Sequence, residues 1–181
     1  MNWPALHNMN TQLSKDSPMS RTSEEPKRVL ILGLGNDILS DDAVGLLVAR
    51  RLKHELSRFP GIAVLESSEM GLALLDFITG YSAVLIIDSI QTGQAAAGSV
   101  HELDGSHLKP GSGRTPHFLG IGETLALGRT MGLHMPAEVK LVAIEVEDAL
   151  TVSAALTPAL QAALPAITAR AAALARSLAA S

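Results

Sequence analysis

The chain has 181 residues, 47% of them hydrophobic and 18% charged, enough apolar material for a continuous core and too much for a disordered chain. Its net charge of −4 and pI near 5.8 argue against the basic stripe that nucleic-acid binding needs, and 3% aromatic residues offer little to stack bases or sugars on. With no cysteine, disulfides, thiolate metal sites and cysteine nucleophiles are excluded together, and no apolar run is long enough to span a membrane.

Residues 1–26 mix Asn, Ser, Thr, Met, Pro and Lys without an apolar period, the composition of a flexible N-terminal extension. They lack the basic start and hydrophobic run of a secretory signal. Residues 27–181 read as a single α/β domain. Val29-Leu30-Ile31-Leu32, ended by Gly33, is a short apolar run of the kind buried on both faces of a sheet. Asp41 to Leu56 then sets Val44, Leu47, Val48 and Leu52 on one helical face, with Arg50, Arg51 and Lys53 largely off it. Asp41 and Asp42 in its first turn read, by themselves, as capping residues.

Ile62 to Leu65 repeats the strand signature, Gly71 to Ile78 is a short helix, and Ala83 to Ile87 is a third strand ending in Asp88-Ser89. Gly98 to Leu103 is more polar and fits an antiparallel edge strand, while Asp104 to Pro116, with three glycines and two prolines, reads as a loop. Phe118 to Met131 is a third helix, offering Leu119, Leu125 and Leu127 for packing, and Val139 to Ile144 a further buried strand. The last helix is capped by Thr157, has Pro158 in its first turn, and carries a stripe of Leu160, Leu164, Ile167, Leu174 and Leu178. Pro165 inside it removes a backbone donor and predicts a bend. Strands alternating with helices define a mainly parallel, twisted five-stranded sheet with one antiparallel edge strand, covered by helices on both faces in a three-layer sandwich.

In an open α/β sheet, ligands bind beyond the carboxyl ends of the strands, so the residues following each apolar run carry the question of function. Gly33-x-Gly35 after the first strand, with Glu66 ending the second, invites a dinucleotide reading. Two details oppose it: Ile38 stands at the sixth position of the motif, and Asp41-Asp42 would repel a pyrophosphate at the helix amides. Asp42, Asp88 and His117 can instead share one sheet edge, where two carboxylates and an imidazole make an open site suited to Ni²⁺, Zn²⁺ or Fe²⁺. His101-Glu102 with His107 lacks the HExxH spacing of a zincin, and Ser67, Ser68 and Ser89 lack the G-x-S-x-G elbow of a serine hydrolase. His7, His54 and His134 read as surface residues, and Glu145 and Glu147 as solvated carboxylates at a strand end.

Several stretches together resemble the hydrogenase maturation endopeptidases: Leu32-Gly33-Leu34-Gly35-Asn36 with Ser40-Asp41-Asp42-Ala43-Val44-Gly45, then Met70-Gly71-Leu72-Ala73-Leu74-Leu75, Ile86-Ile87-Asp88-Ser89-Ile90 and Pro116-His117-Phe118-Leu119-Gly120. The similarity runs from about Arg28 to Leu178. A Gly-Gly-Thr-like turn common in the family is here Ser67-Ser68-Glu69, a departure bearing on substrate selectivity. The resemblance implies that residues 27–181 form a cytoplasmic protease domain, acting as a monomer on the precursor of a [NiFe] hydrogenase large subunit and removing its C-terminal extension after nickel insertion. It also implies that Asp42, Asp88 and His117 contact nickel carried by the substrate, with Zn²⁺ or Cd²⁺ able to substitute. A nickel-sensing chaperone that recognises the precursor without hydrolysis is the alternative.

Overall fold

The computed structural model describes residues 27–105 and 121–181. The expected N-terminal extension, most of the expected 104–116 loop, His107, His117 and Phe118 to Gly120 lie outside the described residues. The strands are β1 (Val29–Leu34), β2 (Ile62–Ser67), β3 (Ala83–Ile90), β4 (Val100–Asp104) and β5 (Glu138–Glu145). They form one sheet in the order β2-β1-β3-β5-β4, parallel throughout except for β4, which runs antiparallel to β5 at the edge.

Burial follows that order. Every residue of β1 and β3 is buried, whereas β2 and β4 at the edges mix half-buried and exposed positions. Interior parallel strands read as continuous apolar runs because both of their faces are covered. The covering helices are α1 (Val44–Glu55), α2 (Leu74–Ile78), α3 (Ile121–Thr130) and α4 (Pro158–Ala180). Because strand side chains alternate between faces, Val29, Ile31, Leu85 and Ile87 pack with α1 and α4, while Leu30, Leu32, Val84 and Ile86 pack with α2 and α3. Gly33 lets α1 lie close, since a Cβ there would sit 2.4 Å from the Gly45 carbonyl oxygen.

Several local expectations change. The Asp41–Leu56 segment opens with a 3₁₀ turn, Asp41–Ala43, before α1 begins, and neither the turn nor α1 has a side-chain cap. The capping reading of Asp41 and Asp42 is therefore corrected: both carboxylates point elsewhere. Thr157 likewise precedes α4 without capping it, its hydroxyl being committed to Asp41. Asp104 belongs to β4 rather than to the following loop. Leu127 stays exposed, leaving Ile121 and Leu125 to pack α3. Helix α4 runs on through Pro165, which occupies an exposed position where the orphaned backbone carbonyl can bond to water.

Candidate active site

The order β2-β1-β3 places a crossover at β1: the chain leaves it for β2 on one side and finds β3 on the other. The loop after β1 and the end of β3 then open at a point where connections diverge, the usual place for a ligand site in such sheets. Asp42 comes from that loop and Asp88 from β3, and both are buried.

Ser89 joins them. Its hydroxyl donates to Asp42 Oδ1 at 2.7 Å, and its backbone N–H donates to Asp88 Oδ1 at 2.8 Å. Asp42 can stand there because the chain turns tightly after β1. Gly35 has φ +148°, and a Cβ on it would lie 2.1 Å from the Asp42 carbonyl oxygen. The second glycine of the Gly33-x-Gly35 pattern thus makes room for the acidic turn.

Beside Asp42 is a cavity of about 150 Å³, lined by Leu34, Gly35 and Asn36 from the loop after β1 and by Ser68, Glu69 and Met70 from the loop after β2. The Ser67-Ser68-Glu69 segment is shaped by a local turn in which the Glu69 N–H donates to Ser67 Oγ at 2.9 Å. Of the serines weighed as nucleophiles, Ser67 is thus engaged in a turn, Ser68 lines the cavity and Ser89 bonds to Asp42.

Three neighbouring carboxylates are engaged differently. Asp41 is fully buried and accepts from the N–H groups of Glu147, Asp148 and Thr157 and from the Thr157 hydroxyl, at 2.7–3.2 Å. It fastens the turn before α1 to the segment between β5 and α4. Glu145, expected to be solvated, is also buried, and accepts from the Thr92 N–H, the Thr92 hydroxyl and the Gly93 N–H at 2.7–2.8 Å. Burial alone would push its carboxyl up, but the bonds from Thr92 and Gly93 outweigh that and hold it below the ordinary range. His101 Nε2 stands 3.4 Å from Glu145 Oε2, the oxygen that also accepts from the Thr92 hydroxyl, while Glu102 pairs with Arg170, so the His101-Glu102 pair is divided between two partners.

Glu66, the acid a dinucleotide reading would reserve for a ribose, is bound by Arg50 at 2.6 Å. The same guanidinium grips Asp37 through two bonds of 2.9 and 2.7 Å and holds the Asp37 carboxyl below its ordinary range. Arg50 thereby steadies the loop that carries Asp42. His54, His134 and Glu147 are exposed, and His7 lies outside the described residues.

Asp42 and Asp88 each accept a hydrogen bond from Ser89, while His117 lies outside the described residues. Among the described residues no group of three or more His, Cys, Asp and Glu is placed to hold a metal ion. Sequence reasoning missed the roles of Asp41 and Glu145. The available signal for Asp41 was the doubled acid itself, since consecutive residues of a helical turn face different directions.

An open α/β sheet carrying two buried carboxylates, Asp42 and Asp88, beside its crossover belongs to the class of α/β proteins with polar groups at the carboxyl ends of their strands. Comparison with known proteins gives the class a family. The model described as "Hydrogenase maturation protease" matches residues 46–174, and the chain belongs to that family. The chain is 28% identical over 137 residues to the hydrogenase 2 maturation protease of Escherichia coli (strain K12), covering 75% of this chain and 82% of the relative. It is also similar to the solved hydrogenase maturating endopeptidase HybD from E. coli, at 25% identity with a TM-score of 0.69, covering 83% of this chain and 93% of that one. The [NiFe] hydrogenase maturation protease HycI from Thermococcus kodakarensis KOD1 is similar at 27% identity with a TM-score of 0.59, covering 84% and 90%. No helix among the described residues is long and apolar enough to cross a membrane.

Proposed function

We propose that this protein is an endopeptidase that removes the C-terminal extension of a [NiFe] hydrogenase large subunit after nickel insertion, with Asp42, Asp88 and His117 meeting the nickel that the precursor carries. The observation that carries the reading is the joining of two buried carboxylates by one residue, Ser89, at the sheet crossover. Membership of the hydrogenase maturation protease family supports the substrate class.

A precursor loaded with Ni²⁺ brings a cation that the two carboxylates can ligate, and His117 adds a neutral nitrogen ligand; Zn²⁺ or Cd²⁺ would satisfy the same donors. A precursor without metal offers these donors no cation and is rejected. The cavity between the loops after β1 and β2 receives the chain beside the scissile bond. Water attacks the scissile carbonyl carbon, one of the carboxylates takes the water's proton, and that proton passes to the departing amine as the C–N bond breaks. A chain without cysteine suits a reducing compartment, and we place the reaction in the cytoplasm.

The test is incubation of a nickel-loaded precursor with the protein, followed by mass spectrometry of the large subunit. A new C-terminus is expected with nickel and an intact tail without it. An intact tail in both, with stable nickel-dependent association, would replace the protease with a non-hydrolytic chaperone. Trimming at an undiminished rate by His117→Ala would remove the histidine from the site.

A further inference from the structure

One residue contacts both members of the carboxylate pair. Ser89 lies on β3, whose eight residues are all buried, and it pairs in register with Ile144 of β5. Successive side chains on a strand project to opposite faces. Asp88 follows Val84 and Ile86 towards α2 and α3; Ser89 follows Leu85 and Ile87 towards α1 and α4. Asp42 arrives from the turn that leads into α1, on the Ser89 side of the strand.

The two carboxylates therefore reach the end of β3 from different layers. The Ser89 hydroxyl ties Asp42 to the strand, and the Ser89 N–H fixes the neighbouring Asp88. One oxygen of each carboxylate is therefore held by a single residue of a fully buried interior strand. Serine meets the steric and chemical demands: it is small enough for a buried position and presents a donor one bond beyond Cβ. Alanine would keep the amide bond to Asp88 and lose only the bond to Asp42.

We infer that Ser89 is a positioning residue, setting the orientation of Asp42 relative to Asp88 so that both face one substrate-borne cation; the inference rests on the reading under "Proposed function". A carboxylate whose supporting donor is removed rotates about its own side-chain bonds, and loss of such an outer partner typically costs about 10–100-fold in activity or metal affinity.

The experiment compares the full-length wild type with Ser89→Ala and Ser89→Thr on the nickel-loaded precursor. It combines cleavage rates, thermal unfolding and the NMR resonance of the Asp42 carboxyl carbon. Ser89→Ala is expected to lower kcat/KM by about 10–100-fold and to move the Asp42 resonance. Ser89→Thr, which retains the hydroxyl, is expected to restore both, with kcat/KM within about threefold of wild type. If the extra methyl lowers the unfolding temperature of Ser89→Thr, the Ser89→Ala rate and resonance decide alone.

A Ser89→Ala rate within about threefold of wild type, or an unmoved Asp42 resonance, overturns the inference. So does a wild-type acyl intermediate on Ser89, which would make the hydroxyl the attacking group. Asp42→Asn and Asp88→Asn separate this failure from that of the underlying reading. If they are inactive while Ser89→Ala is normal, only the positioning role falls. If they cleave normally, the carboxylate reading falls and takes this inference with it.

Discussion

Two groups of buried carboxylates lie at the same end of the sheet and are held in different ways. Asp41 and Glu145 collect donors from a connecting segment, Asp41 from Glu147, Asp148 and Thr157, Glu145 from Thr92 and Gly93. Asp42 and Asp88 are joined through Ser89 on the central strand. The first group stitches loops to the framework, so its charge is consumed by structure. The second is anchored to the framework itself through one residue of β3, and under the proposed function it is this pair that meets the cation-bearing substrate. Burial alone does not separate the two groups; the origin of the donors does.

The sharpest way to break that comparison is on activity. Asp42→Asn or Asp88→Asn is expected to reduce cleavage of the nickel-loaded precursor by at least about 10³-fold. Stability should fall by less than about 1.5 kcal/mol, because the amide oxygen still accepts a hydrogen bond. Rate assays paired with urea unfolding check both halves, and a large stability loss would move these residues into the stitching group.

Asp41→Ala tests the opposite side. It leaves three part-buried N–H groups and a hydroxyl without their acceptor and is expected to cost about 2–4 kcal/mol, read from the urea midpoint. Gly45→Ala follows in size. Its new Cβ would lie 2.2 Å from the Leu34 carbonyl oxygen and 2.5 Å from that of Ile87. The forced retreat of α1 is expected to cost about 1–3 kcal/mol in the same assay.

Glu145 gives a pH test. Its carboxyl titrates below the ordinary 4.5 in the folded protein, so the folded state favours its charged form. The stabilisation is complete above 4.5 and is lost as pH falls through the lower folded-state value. Thermal unfolding of Glu145→Gln should show a lower melting temperature near neutrality and a shallower decline across that acidic window. The smallest effect is expected from Arg50→Lys, which breaks the forked bond to Asp37 at a partly exposed site. It should cost less than about 1 kcal/mol, while the Asp37 carboxyl, followed by NMR, moves up towards its ordinary value.

How much of this was legible from the chain differs between elements and side chains. The apolar runs at Val29–Leu32 and Ala83–Ile87 announced interior strands because a strand covered on both faces has no polar position to reveal its period. The polarity of Gly98–Leu103 marked an edge for the converse reason, and β4 is an antiparallel edge strand. The acidic turns after β1 and at the end of β3 were legible as positions beyond strand ends. Their hydrogen-bond partners were not, because Asp41 reaches residues 106 to 116 positions away and no local pattern encodes such a contact.

The sequence by itself determined the class of fold, the family signature and the residues worth questioning, since periodicity and motif spacing are local properties of a chain. Only the tertiary structure decided that adjacent Asp41 and Asp42 diverge, one into a loop and the other to Ser89, and that Glu145 is buried rather than solvated. Those outcomes depend on which distant donor arrives at each carboxylate when helices and sheet pack, and that is settled by the whole core rather than by neighbouring residues.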